Sequence, residues 1–251
     1  MRRGPVIGTL LAAIWGCAVP GPGASPVVAP EAVVDDARAT VTCSGRPVLT
    51  YRHGDAPFKP YVKTLCTPGG VQILRDAPPD HVHHRGLMFA LALDGRDFWS
   101  EAKKSGRQVP AGRIGTRPIP GGLELTQDLD WIPAGSDRPL ARESRRIGIH
   151  GVVAGATLIS WTTCLRPADG AESITVTGSH YQGLGLRFVA SMDKTDAFRH
   201  AAGKPGPVVR GSEHVTPSAW TAFTATADGK PVTVALFDHP SNPRAPAGMF
   251  T

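Results

Sequence analysis

Three of the chain's nine histidines fall within four positions, in Asp80-His81-Val82-His83-His84-Arg85-Gly86-Leu87, and Asp97-Phe98-Trp99-Ser100-Glu101 follows closely. Imidazole accepts a proton, donates one or binds a metal near neutral pH, so the cluster concentrates chemical capacity. If residues 81–85 are extended, His81 and His83 point to one face and His84 to the other. Two imidazoles on one face can hold a divalent metal, with Glu101 as a third ligand. Alternatively, Asp80 closes a turn after Pro78-Pro79, and the histidines satisfy loop backbone or meet a substrate directly. Clustered titratable groups favour direct use, with His83 and His84 moving protons and Glu101 as base or orienting carboxylate. Trp99 shares a face with Glu101 in an extended chain, and indole beside carboxylate suits a pyranose. The competing reading is a core Trp with an exposed Glu. Arg85 could clamp a uronate or another acidic group through two parallel hydrogen bonds, or pair with Asp80 or Asp97.

Two further segments carry candidates. His180 and Arg187 lie in a glycine-spaced stretch, where backbone can approach a ligand closely, and both join the expected site. Asp238-His239 ends an apolar strand at a loop; His239 is a candidate substrate contact, and Asp238 reads as an Asx-type turn. No nucleophile elbow, zinc-protease helix, phosphate loop or dinucleotide fingerprint is present, so Ser–His hydrolase chemistry has no handle here.

These residues need a β scaffold. Ala39, Val41 and Cys43 alternate with polar residues; so do Leu123, Leu125, Leu129 and Trp131, and Ile174 with Val176. Period-two alternation marks strands with one buried face. Further strands are expected at 46–52, 61–65, 85–93, 112–119, 138–149, 155–165, 219–225 and 231–237, separated by Gly- and Asp-rich turns. The stretch Asp193–Ala202 suits a short helix or a long loop. The expected fold is all-β, a mostly antiparallel two-sheet sandwich spanning 39–251.

Composition narrows the partners. A net charge of +6, with no dense basic run, excludes a nucleic-acid patch; Arg142, Arg145 and Arg146, broken by Glu143, read as a solvated strand face. Arg2-Arg3 and the apolar run Val6–Trp15 read as an export signal, too short to span a bilayer comfortably. Residues 1–24 hold this signal and the start of a Gly/Pro/Ala/Ser tether, which continues over 25–38. Ile14-Trp15-Gly16-Cys17 looks like a lipobox, making Cys17 a candidate lipid anchor and the one membrane contact expected; cleavage near Ala24 or Ser25 is the alternative. The expected location is periplasmic or at the cell surface. Cys43, Cys66 and Cys164 form no C-x-x-C pair and read as small buried hydrophobes, although export permits a Cys43–Cys66 disulfide.

The first two motifs, with Phe237-Asp238-His239-Pro240-Ser241-Asn242-Pro243-Arg244, resemble a bacterial family of unknown function labelled "PmoA family" or "methane oxygenase PmoA". Arg46-Pro47, Thr67-Pro68-Gly69-Gly70-Val71 and His180-Tyr181-Gln182-Gly183-Leu184-Gly185-Leu186-Arg187-Phe188 extend the likeness from about Val41 to the end. The chain has no spanning segment after residue 16, so it is not the helical membrane subunit of methane monooxygenase. The resemblance implies exported proteins, often encoded beside sugar-processing genes, with a galactose-mutarotase-like sandwich. It also implies further strands beyond Arg244, so the ending at Met249-Phe250-Thr251 reads as a chain cut within its domain. The expected function is an exported protein acting on or binding a sugar or oligosaccharide. The alternatives are a metal-dependent oxygenase, as the label suggests, and a non-catalytic glycan-binding lipoprotein.

Overall fold

Alternating apolar and polar positions build two stacked sheets. The computed structural model describes the backbone of residues 6–16 and all of residues 29–193 and 198–251. Among these, the only helical residues are one 3-10 turn, Ala190–Met192. Every described strand pairing is antiparallel. A nine-stranded sheet runs Gly115–Ile119, Gly122–Ile132, Ala141–Val153, Ala156–Pro167, Val6–Gly16, Lys230–Asp238, Trp220–Ala227, Arg199–His200, with Arg107–Pro110 also paired to Gly122–Ile132. A six-stranded sheet runs Gly183–Leu186, Leu87–Ala90, Tyr61–Leu65, Arg46–Arg52, Arg38–Cys43, Glu31–Val34.

The core lies between these two sheets. Val41, Leu49, Val62 and Leu65 of the smaller sheet share one buried cluster with Leu125, Ile147, Ile159 and Val234 of the larger. Each such side chain contributes about 1.5–3 kcal/mol relative to exposure. Leu129 and Trp131 continue the inward face of their strand into a second cluster with Leu93 and Phe98. The fold is therefore the expected all-β, antiparallel sandwich, with two small three-stranded sheets, Val176–Thr177 with Ala92–Leu93 and Arg96–Asp97, and Val208–Arg210 with Glu213–Pro217 and Gly248–Phe250, beside the two main ones.

Several local expectations change. Glu31–Val34, within the expected tether, is the edge strand of the smaller sheet. The Val6–Trp15 run pairs with both Ala156–Pro167 and Lys230–Asp238; an uncharged apolar run supplies a strand as readily as an export-signal core. Cys17, Ala24 and Ser25 lie outside the described residues. Around Ile174 and Val176 only Val176–Thr177 is a strand, and Val176 is exposed. Cys66 and Cys164 are free thiols, so a Cys43–Cys66 disulfide is not formed, and burial pushes the Cys66 thiol up.

Arg145 is the largest correction. Arg142 and Arg146 are solvated as expected, but Arg145 and Glu143 share the strand's inward face with Ala141 and Ile147 and are buried. Arg145 donates to both Glu143 oxygens, to Gln108 Oε1, to Tyr51 Oη and to the Pro60 carbonyl. Glu143 also accepts from Trp131 Nε1 and Thr163 Oγ1. A charge pair this deep persists because nearly every donor and acceptor in it is matched.

Candidate functional site

The histidine segment is a turn. The His81 N–H donates to the Pro78 carbonyl at 2.9 Å, His84 N–H to the His81 carbonyl at 2.9 Å, and Ala77 N–H to the His84 carbonyl at 3.0 Å. This corrects the extended arrangement that would set His81 and His83 on one face; the loop alternative holds. Pro78 and Pro79 lack N–H donors and Ala77 has a φ of 47°, so the chain cannot continue a ladder. The turn gathers all three rings: centroids lie 4.8 Å apart for His81–His84, 4.5 Å for His83–His84 and 6.0 Å for His81–His83. An Asp76–Arg85 bridge closes its base. Gly86 follows with a φ of 42°, where a Cβ would sit 2.2 Å from the Val62 carbonyl oxygen. Only glycine fits that approach.

Beneath the turn lies a charge cluster that the sequence reading half foresaw. Glu101, in the left-handed region at φ 53°, has a side chain only 4% exposed. Its Oε1 accepts from Lys59 Nζ at 2.7 Å, and its Oε2 accepts from Arg85 Nη2 at 2.9 Å. Lys59 is 0% exposed and also donates to the Trp99 carbonyl at 2.9 Å. Arg85 therefore pairs with Glu101 rather than with Asp80 or Asp97, and its Nη1 lies 3.5 Å from Asp76 Oδ1. Asp76 Oδ2 accepts from Tyr61 at 2.9 Å. Burial pushes the Lys59 ammonium down, opposed by Glu101. Lys59 was missed; its faint signal is a lone cation in the apolar run Phe58-Lys59-Pro60-Tyr61.

Trp99 is 8% exposed, seated on Tyr61, Met88 and Ala90, so it is mainly a core residue. Asp97 fixes it by accepting its backbone N–H at 2.8 Å. Glu101 is not exposed beside it; the positive φ turns the chain inward instead. One edge of the indole touches the wall of a cavity of about 460 Å³. His84, His180 and Arg187 line the same cavity, with Tyr181 and Phe250 on its rim. His180 stacks against Tyr181 at 4.2 Å and Phe250 at 5.4 Å. Tyr181 and Phe250 were not singled out in the sequence, because Phe250 lies far along the chain from the His180-Tyr181 pair and no local pattern joins them.

Burial pushes His84 down to about 4, helped by His83, His81 and Arg187, so it is neutral at pH 7. His83 is lowered as well, by burial and then by Lys59 and His81. His239 does not line the cavity; it is exposed and bonded to Ser241 Oγ at 2.7 Å. Asp238 is structural, accepting from the Ala247 N–H and the Asn242 side chain. Among the described residues no group of three or more His, Cys, Asp or Glu is set to hold a metal ion. Glu101, the expected third ligand, already gives both oxygens to Lys59 and Arg85.

A family model described as "Family of unknown function (DUF6807)" matches residues 38–251. The chain belongs to this family. The match covers both sheets' strands from Arg38 onward, with the histidine turn and the cavity inside it, so the candidate site belongs to the DUF6807 domain. No curated protein and no solved structure matches the chain.

Proposed function

We propose that this DUF6807 protein binds and acts on a sugar or oligosaccharide in the cavity between His84 and His180. The observation that carries the reading is convergence: His84, the edge of Trp99, and His180 with Arg187, from three segments of the chain, meet at one cavity. Its volume suits a small ligand, and its mix of aromatic rim and few polar groups suits a pyranose. His84, neutral at pH 7, accepts a proton; His83 packs against it and tunes it; His180 faces the ligand from the other wall. Glu101 acts as the orienting carboxylate, since it fixes Arg85 and Lys59 beneath the turn. A galactose-mutarotase-like topology, implied by the resemblance, agrees with such a groove on a sheet.

A glycan panel read for both binding and product formation tests this. Replacing His83 and His84 together by Ala is expected to abolish turnover and leave the fold intact. Binding without turnover in the wild type would favour the non-catalytic glycan-binding reading. Wild-type turnover in the double variant would move the site elsewhere. The oxygenase that the PmoA label names has one observation behind it: His81 and His83 sit in one turn, 6.0 Å apart. Stoichiometric iron, copper or manganese in untagged protein would favour that alternative.

We also propose export, with a lipid anchor at Cys17. Processing there would remove Val6–Gly16 from its place beside Lys230–Asp238, so the two readings of that run are exclusive in the mature protein. N-terminal sequencing decides between them, and Cys17→Ser is expected to release the protein from membranes.

A further inference from the structure

The carbohydrate reading leaves the class of sugar undecided, and two arginines differ in what they have left to offer. Arg85 is engaged: Nε and Nη2 donate to Glu101, and Nη1 faces Asp76. Arg187 is not. Its side chain, 26% exposed, lines the cavity. Its ion pair is a 3.7 Å approach of Nη2 to Asp80 Oδ2, too long for a hydrogen bond. That same oxygen is already bonded to His81 Nδ1 at 2.9 Å. Arg187 Nε is buried with no hydrogen-bond partner among the described residues. A guanidinium has five donors and keeps its charge at any working pH, so one left this poorly matched beside a cavity is prepared for an incoming anion.

The rest of the lining agrees. The ionisable side chains named along it are His84, His180, Tyr181 and Arg187, and no Asp or Glu side chain is among them. Two carboxylates touch this lining from outside it: Asp80 Oδ2 lies 3.7 Å from Arg187 Nη2, and Glu213 accepts from the Tyr181 hydroxyl at 2.8 Å, so an incoming acid takes the place of the weak Asp80 contact. The Tyr181 and Phe250 rings, 4.9 Å apart, give an apolar surface for the face of a sugar ring.

We propose that the cavity selects sugars bearing a carboxylate, the uronate class, with Arg187 as the residue that holds the acid group. This rests on the carbohydrate reading above. The acid projects from the ring edge to the guanidinium fork while the ring lies against the aromatic rim. Arg187 is among the groups that depress His84. A bound carboxylate offsets that positive field, so the correct substrate makes His84 a better proton acceptor.

The test compares uronates with their methyl esters, which keep the ring and lose only the charge. Calorimetric titrations use glucuronate, galacturonate and their short oligomers, the matching esters, and acetate, on wild type, Arg187→Gln and Arg187→Lys. The acids are expected to bind at least tenfold more tightly than the esters, as charge-assisted hydrogen bonds allow. Arg187→Gln should erase that difference with an unchanged melting curve, and Arg187→Lys should keep part of it. Equal binding of acid and ester overturns the inference while leaving the carbohydrate reading intact. No binding of either overturns both. Acetate binding as tightly as the uronates overturns the sugar part. Should Arg187→Gln unfold, the ester comparison on wild type and on Arg187→Lys decides.

Discussion

Replacing Glu101 by Gln removes one negative charge from beneath the histidine turn. Lys59, with no exposed side-chain surface, then loses its only ion-pair partner among the described residues, and Asp97 remains as a more distant counter-charge. Breaking one partner out of a buried pair costs about 3–5 kcal/mol, because the remaining ion stays desolvated. Gln keeps one acceptor oxygen for Lys59 Nζ, and Arg85 retains Asp76 nearby, so the lower end applies: about 3 kcal/mol. For a chain of this size that lowers Tm by roughly 6–12 °C. Urea unfolding followed by tryptophan fluorescence reads the loss. The sign of its pH dependence follows from Lys59. Burial already pushes its ammonium below the ordinary 10.5, and without Glu101 it falls further. Between that lowered value and 10.5 the unfolded chain binds the extra proton, so the variant gains stability as pH rises. The deficit against wild type should therefore shrink from pH 7 to pH 9.5. Lys59→Met with Glu101→Gln should cost clearly less than the two single changes added together. A Glu101→Gln loss under about 0.5 kcal/mol, or strict additivity in the cycle, would refute the buried-pair account.

Three further outcomes are expected. His84 is neutral when folded down to about pH 4 but titrates near 6.5 when unfolded, so the unfolded chain takes up the proton between those values. Stability should fall as pH drops from 6.5 to 4, by about 1–2 kcal/mol after allowing for partial exposure, and His84→Gln should flatten that slope in pH-stepped melts. Gly86→Ala would drive a Cβ against the Val62 carbonyl in a left-handed backbone and should cost at least about 2 kcal/mol in chemical unfolding. Glu143→Gln should lower stability by about 3 kcal/mol by leaving buried Arg145 without its charge partner; a surface-like change below 0.5 kcal/mol would contradict the burial seen here.

The sandwich was legible because a strand with one buried face writes its geometry directly into the alternation of residues. Leu123, Leu125, Leu129 and Trp131 all face inward as that alternation demands. The same parity held an unused signal: counting back from Ile149 and Ile147 puts Arg145 and Glu143 on the buried face, yet their charge argued for solvent. The histidine cluster was legible by composition, but its geometry was not. A turn loses the strict alternation of side-chain direction that a strand keeps, so period-two reasoning from His81 to Arg85 fails once the prolines stop the ladder. Glu101 was read as a functional carboxylate, and its restraint by Lys59 was invisible, since that contact joins residues 42 apart. Contacts of this range come from sheet pairing, which a local pattern does not specify.

The two arginines show how burial sorts identical side chains into different tasks. Arg85 and Arg187 lie on adjoining backbone, with the Arg187 N–H donating to the Gly86 carbonyl at 2.7 Å. Arg85 turns beneath the histidine turn, where an unpaired charge would cost several kcal/mol, and so it binds Glu101 in a forked pair. Arg187 turns to the cavity, where water can meet the charge when no ligand is bound, so it tolerates a poor partner. This asymmetry predicts how the site fails. Loss of Glu101 should loosen the turn and weaken acid and ester ligands alike, because it disturbs position. Loss of Arg187 should weaken only the acids, because it removes one contact.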